Sequence, residues 1–260
     1  MKTQLVANGY SFFRRSSPLA SYSYIIKSGG QILKAYGVSI GVTVVGTLLN
    51  VLLSALMAYP LSVKNLPGRN VMMFFVFFTM LFNGGIVPSY IMWTGTFHIK
   101  DTIFAQLLPN FLLSAWNVMI DFELILTTSI PDGLYEAAEI DGASQFTIFW
   151  KIVLPLGKPI LVTMGTFAGL AYWNDWTNGL YYIVKNTGLY NVQNLLNQMV
   201  QNIQFLTQSS NSNVTAAAST IPATGIQMAI AFVAILPIML IFPSFQKYYA
   251  KGIALGAVKG

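Results

Sequence analysis

Glu136, Glu139 and Asp141 form the densest acidic group in a sequence with eight Asp and Glu among 260 residues. Carboxylates this close could move protons, hold a metal or face a basic surface. The first two uses need company: a nucleophile beside a base, or further ligands at metal-binding spacing. His98 is the one histidine, and there is no cysteine. No nucleophile–base pair or ligand cluster is visible, so the chain does not read as an enzyme or a metal protein. The carboxylates instead alternate with small residues, Ala137, Ala138, Gly142 and Ala143. Small side chains let another surface approach closely. The stretch reads as a docking surface.

The elements that position it are apolar. The sequence is 55% hydrophobic and 8% charged, with mean hydropathy +0.60, whereas a soluble domain is about one-quarter charged. Apolar runs of about 20 residues match helices crossing a hydrocarbon core of ~30 Å, and helices satisfy their own backbone in lipid. The expectation is an all-α, polytopic membrane bundle over residues 36–243, after a mixed segment 1–35 and before a tail 244–260. Five spans are evident: Tyr36–Tyr59, Val71–Trp93, Ile103–Leu126, Pro159–Val184 and Ala223–Phe242. Pro60 is expected to end the first. Asn83-Gly84-Gly85 and Pro88 break the second, either as a kink or where backbone lines a cavity. Asp121 and Glu123 lie near the end of the third, where an aqueous interface can solvate them. The polar loop 127–158 separates the third span from the fourth.

Charge sets the orientation. With the tail inside, the turn after Pro60, the 127–158 loop and the tail carry Lys64, Arg69, Lys151, Lys158, Lys247, Lys251 and Lys259. The outer loops carry Lys100 and Lys185. Basic residues favour the cytoplasmic side, so the acidic loop and the C-terminus are expected there. The segment 1–35, with Lys2, Arg14, Arg15, Lys27 and Lys34, runs against the rule. The formal net charge of +6 is scattered, with no basic stripe for nucleic acid.

Within the loop, Pro131-Asp132-Gly133 reads as a turn, with Asp132 able to cap a helix over Leu134–Ile140. Gly142 permits a sharp change of direction, and Ser144–Leu154 forms a second helix rich in Phe146, Ile148, Phe149, Trp150, Ile152 and Val153. So much apolar surface must pack under the bundle or be covered by a partner. Glu136-Ala137-Ala138, three residues, Gly142, nine residues, Ile152, one residue, Leu154-Pro155 resembles the cytoplasmic loop of permease subunits of binding-protein-dependent ABC importers. Asn83 to Pro88, Trp173 to Trp176 and Gln246 to Gly260 resemble the carbohydrate permeases related to the maltose-system subunits. The resemblance implies a loop of coupling helices seated in a cleft of an ATPase. It assigns Glu136, Ala137, Ala138, Asp141, Gly142 and Ala143 to docking, and Ile152, Leu154 and Pro155 to fixing the loop on the bundle. It also implies six helices. The first, ahead of the segment matching 20–35, is not evident here.

The implied partners are a second homologous permease subunit, two ATP-binding subunits, an extracytoplasmic solute-binding protein and the lipid of a bacterial cell membrane. The chain itself binds no cofactor; ATP and Mg belong to the partner ATPase. In keeping with that, there is no Gly-x-x-x-x-Gly-Lys-Ser/Thr loop. A sugar path needs aromatic faces for C–H surfaces and polar groups for hydroxyls. Trp173, Asn174, Asp175 and Trp176 supply both, 14 to 17 residues beyond Pro159, or roughly 21–26 Å along a helix. Asn83, Asn117 and Tyr172 are further candidates. The competing readings are an interfacial Trp belt and pairing of Asp175 inside the bundle. At the level of function the alternatives are a permease for a non-sugar solute or a self-sufficient secondary transporter. The latter usually carries repeats with midplane ionisable sites.

Overall fold

The computed structural model describes residues 29–63, 66–109, 111–124, 132–208, 228–241 and 243, with the side chains of 121–124, 132, 203 and 206–208 excepted. The expectations for residues 1–28, Asn110, Pro131, residues 209–227 and the tail from 244 fall outside the described residues, as do those for the side chains of Asp121, Glu123 and Asp132. Every regular element among the described residues is helical.

Helix α1, Gly29–Ser62, has 34 residues and spans roughly 51 Å at 1.5 Å per residue. It is longer than the expected span at both ends. Pro60 does not stop it. A proline in a last turn forfeits only one backbone bond, and Arg69 closes the end by donating from Nε to the Leu61 carbonyl at 2.6 Å. The helix is apolar around its whole circumference and packs against most of the other helices, which makes it the central post of the bundle.

The second expected span is two helices, α2 Arg69–Leu81 and α3 Ile86–Thr96, meeting at 110°. Gly85 has φ +86, a value that favours glycine, and its N–H donates to Asn83 Oδ1 at 2.8 Å. Pro88 falls in the first turn of α3, where its missing N–H costs nothing.

The third expected span is also broken, into α4 Phe104–Leu107 and α5 Ala115–Leu124. Pro109 lies in the gap. Two carbonyls freed there are taken by side chains of other elements. Asn178 donates to Pro109 O at 3.1 Å and Asn50 donates to Phe111 O at 2.6 Å. Irregular backbone inside a bundle needs such partners.

Helices α6, Asp132–Ile140, and α7, Gln145–Leu156, form the loop; α7 meets α8, Lys158–Asn174, at 79°. Leu154-Pro155 does not stop α7, which runs on to Leu156. Helix α8 ends ten residues before the expected Val184. Asp175 and Trp176 break the chain, and α9, Thr177–Tyr182, follows. Helix α10, Val192–Gln208, lies against the start of α1 together with α11, Met228–Ile241. Among the described residues, α1 alone is long and apolar enough to cross a membrane by itself, and the bent pairs α2–α3 and α7–α8 are so if each counts as one span. The break in the second span is the one expected at Asn83-Gly84-Gly85; hydropathy reads through the breaks in the third and fourth, which side chains repair.

Candidate coupling surface and substrate path

The docking stretch folds as two helices joined by a tight reversal. Gly142 has φ +75. Around it Asp141 N donates to Ala137 O at 3.0 Å, Gly142 N to Glu139 O at 3.0 Å and Ala143 N to Ala138 O at 2.9 Å. The last two bonds make the glycine-terminated cap that closes many helices. Ser144 then opens α7, its Oγ accepting from Thr147 N at 3.2 Å.

The helices are fixed to the bundle on one side only. Ala138, Ile148, Phe149 and Val153 are buried with Ala55, Ala58, Tyr59 and Leu61 of α1, Val76 of α2 and Val118 of α5. The rings of Tyr59 and Phe149 lie 5.4 Å apart. A polar relay adds to this: Tyr59 OH donates to Gln145 Oε1 at 2.6 Å, and Gln145 Nε2 donates to Glu139 Oε1 at 3.1 Å. Ala138 therefore faces the bundle, a correction to its expected place on the docking face. Its small side chain fits within that cluster. Ile152 and Leu154 pack partly buried against the same cluster, whereas Pro155 is exposed.

The opposite side is open. Glu136, Ala137, Asp141 and Gly142 are exposed, and Ala143 is half-buried. Beside them stand Ile140, 86% exposed, and Phe146, 66% exposed, with Phe146 and Trp150 ring to ring at 5.9 Å. Acidic groups around large exposed apolar side chains are the composition of an interaction surface. The sequence signalled the apolar content of α7. It did not show which half pointed outward, and Ile140 escaped notice because a lone apolar residue between acids carries no periodicity.

The substrate-path candidates do not converge. Asn83 is exposed and occupied in the α2–α3 turn. Asn117 is buried and donates to Asn50 Oδ1 at 2.9 Å, tying α5 to α1. Tyr172 is buried, with its hydroxyl on Leu107 O at 2.9 Å and its ring against the Cα side of Gly46. Trp173 is buried beside Tyr36, its Nε1 donating to Ala234 O at 3.3 Å. Asn174 and Trp176 are exposed. Asp175 is buried as the cap of α9: its Oδ1 accepts from Thr177 N at 3.0 Å, Thr177 Oγ1 at 2.7 Å and Asn178 N at 3.2 Å. Its Oδ2 is buried with no hydrogen-bond partner among the described residues. The pairing reading of Asp175 thus describes the geometry better than a cavity-facing one.

A cavity of ≈ 340 Å³ opens between α1, α8 and α11, lined by Thr43, Thr47, Gly165, Gly169, Trp173 and Pro237 among others. Of the sequence candidates, Trp173 alone lines it. Its walls are almost wholly apolar, and a hydrated sugar placed there would leave most hydroxyls unpaired.

At the far end of the bundle from the α6–α7 loop, Asp101 pins two loops together. Its Oδ1 accepts from the N–H groups of Val184 and Lys185 at 2.7 Å and of Asn186 at 3.2 Å. The Lys185 N–H first, and then those of Val184 and Asn186, hold its carboxyl below the usual range. Tyr90 and Tyr182 stack beneath, with Lys100 bonded to the Tyr90 hydroxyl at 3.1 Å. Asp101 was not singled out from the sequence; an acid between two loops looks like solvated surface until its partners are known.

The model of one family, "Binding-protein-dependent transport system inner membrane component", matches residues 35–255. Among similar curated proteins, the polygalacturonan/rhamnogalacturonan transport system permease protein YtcP of Bacillus subtilis is 36% identical over 257 residues, covering 99% of this chain and 87% of that one. Protein LplC of the same organism is 34% identical over 259 residues, covering 100% and 85%. The arabinooligosaccharides transport system permease protein AraQ of Halalkalibacterium halodurans is 27% identical over 266 residues, covering 99% and 86%. Among solved structures, a bacterial ABC transporter involved in the import of the acidic polysaccharide alginate aligns with a TM-score of 0.77 at 24% identity, over 95% of this chain and 85% of that one.

Proposed function

This chain belongs to the family of binding-protein-dependent transport system inner membrane components, and we propose that it is the membrane subunit of an ATP-driven importer that carries oligosaccharides. The observation that carries the reading is the one-sided loop: α6 and α7 are anchored to α1 through Ala138, Ile148, Phe149 and Val153 while Glu136, Ile140, Asp141 and Phe146 stand clear of the bundle. A device that passes motion from a soluble ATPase to a membrane helix needs a face for each.

In this reading ATP and Mg are held by two partner ATPase subunits, and this chain holds neither. A second permease subunit completes the path, and a solute-binding protein delivers the cargo on the other side of the membrane. The loop and the C-terminus are cytoplasmic, in line with the basic residues flanking the loop. Two relatives whose names specify oligosaccharide or polysaccharide transport support the carbohydrate class. The candidate residues here do not make a closed sugar site, as expected of one half of a shared path.

The test is co-purification and transport. Phe146→Asp and Glu136→Lys are expected to release the ATPase subunits from the membrane complex and abolish ATP-dependent sugar uptake, while the chain stays folded because both side chains are exposed. ATPase binding and uptake at wild-type levels in both variants would sink the coupling assignment. Uptake that survives deletion of the ATPase genes would sink the importer class.

A further inference from the structure

Pro237 stands inside α11, between Val233 and Ile241. A proline within a helix has no N–H for the carbonyl one turn back, and it bends the axis. The carbonyl left over here is that of Val233, and another helix supplies its donor. Tyr36 of α1 donates from its hydroxyl to Val233 O at 2.5 Å. The next carbonyl, Ala234 O, accepts from Trp173 Nε1 of α8 at 3.3 Å. The two rings lie side by side, with centroids 6.2 Å apart. Backbone freed inside a membrane bundle needs such partners, and with them in place a bend at Pro237 leaves no bare carbonyl.

The same proline divides α11 by its packing. Ahead of it, Ala229 and Ile230 are buried with Ile32 and Ala35 of α1 and with residues of α10, and Val233 and Ala234 pack against that cluster. From the proline onward, Pro237, Ile238 and Ile241 border the ≈ 340 Å³ cavity, with Thr47, Gly165 and Gly169 on the facing walls. One half of the helix is held, and the other has open space beside it. Protein interiors pack densely and hold few voids larger than a water molecule, so space of this size beside a kink is room to move. Trp173, at the end of α8, meets Ala234, whereas Gly165, nearer the start of α8, lies across the cavity from the other half. The open half therefore runs toward the end of the bundle where the α6–α7 loop joins α8. We propose that α11 is hinged at Pro237: the half beyond the proline swings into the cavity, toward Thr47 and Gly165, when the α6–α7 loop is driven, and Tyr36 and Trp173 hold the carbonyls at the pivot. Tyr36 is a positioning residue in this device. The link to nucleotide rests on the importer reading above.

The chain has no cysteine, and Leu48 and Ile241 both line the cavity and are exposed, so cysteines at these two positions should leave the fold intact. The experiment uses the complex assembled with its partner subunits in liposomes. Oxidative cross-linking between Leu48→Cys and Ile241→Cys, read by peptide mass spectrometry, should differ in rate about tenfold between the nucleotide-free state and the state trapped with ATP and vanadate. Adding Pro237→Ala restores the helical N–H and should bring the two rates within about twofold of each other. A second measurement needs no nucleotide. Tyr36→Phe should lower the unfolding midpoint by about 2–4 °C, the loss of one hydrogen bond. It should be neutral in the Pro237→Ala background, where the restored N–H takes Val233 O instead. Equal losses in both backgrounds would overturn the pivot. Equal cross-linking rates in both nucleotide states, in liposomes where the complex hydrolyses ATP, would show a rigid kink beside a lipid-filled cleft and overturn the swing. Absence of ATP-dependent uptake by the wild-type complex would count against the importer reading, and the Tyr36→Phe comparison would still decide whether Pro237 is a pivot.

Discussion

Gly142 offers the sharpest perturbation of the coupling loop because its environment separates backbone strain from steric clash. A Cβ built at Gly142 meets nothing within 4 Å, so substitution costs only what φ +75 imposes. For an L-residue with a Cβ that is about 1–2 kcal/mol. Asn tolerates the left-handed region better, and Val tolerates it worst. The α6–α7 pair is anchored on both sides of the turn by Ala138 and Ile148, so the chain cannot relieve the strain by moving one helix. The docking-competent turn should then lose about 5- to 30-fold in population with Gly142→Ala, less with Asn and more with Val. The assay is ATP hydrolysis by the reconstituted complex, stimulated by loaded solute-binding protein, set beside thermal unfolding of the same variants. Gly133→Ala, within α6 and equally free of neighbours, is the control and should be neutral or stabilising by up to about 1 kcal/mol. Coupled activity in the order Gly, Asn, Ala, Val is expected. Wild-type activity in the Val variant, or equal loss in Asn and Val, would refute the reasoning.

Three further outcomes follow from packing and charge. Gly46→Ala places a Cβ inside van der Waals contact of Tyr172 Cζ, in a ring held by its hydroxyl on Leu107 O; about 1–3 kcal/mol of destabilisation is expected, read by thermal unfolding and relieved by adding Tyr172→Val. Asp175→Ala removes the cap of α9 and should cost about 0.5–2 kcal/mol, whereas Asp175→Asn keeps the Oδ1 acceptor and should stay close to wild type in unfolding; transport lost in the Asn variant alone would revive a sugar-contact role. Asp101 has a lowered carboxyl pKa, so its contribution is present above the unperturbed value of 3.8 and is lost as pH falls below it. Hydrogen exchange at the amides of Val184, Lys185 and Asn186 should be slow and protected from neutral pH to below that value, and lose protection only as pH falls through the lowered pKa of the folded state. Asp101→Asn should weaken the protection and remove its acid dependence.

What the sequence determined is what depends on composition and local spacing. Low charge and long apolar runs define a helical membrane chain because lipid forbids an unsatisfied backbone. The Glu136–Pro155 stretch could be read as a helix–turn–helix loop because a helix, a glycine reversal and a second helix are local structures. Gly142 could be assigned its turn from identity alone. Tertiary structure decided the rest. The break at Asn83-Gly84-Gly85 is legible in its residue types, but those beside Pro109 and at 175–176 look like continuous spans by hydropathy, and they exist because Asn50, Asn178 and Asp175 supply hydrogen bonds that the backbone gives up there. Asn50 and Asn178 come from distant segments, which a window along the chain does not see. Sidedness is likewise a property of packing. Ala137 and Ala138 are identical neighbours, yet packing against the bundle turns Ala138 into core and leaves Ala137 exposed. Tyr172, Trp173 and Asp175 carry the side chains a sugar site would want, and neighbouring helices use them instead to close the bundle.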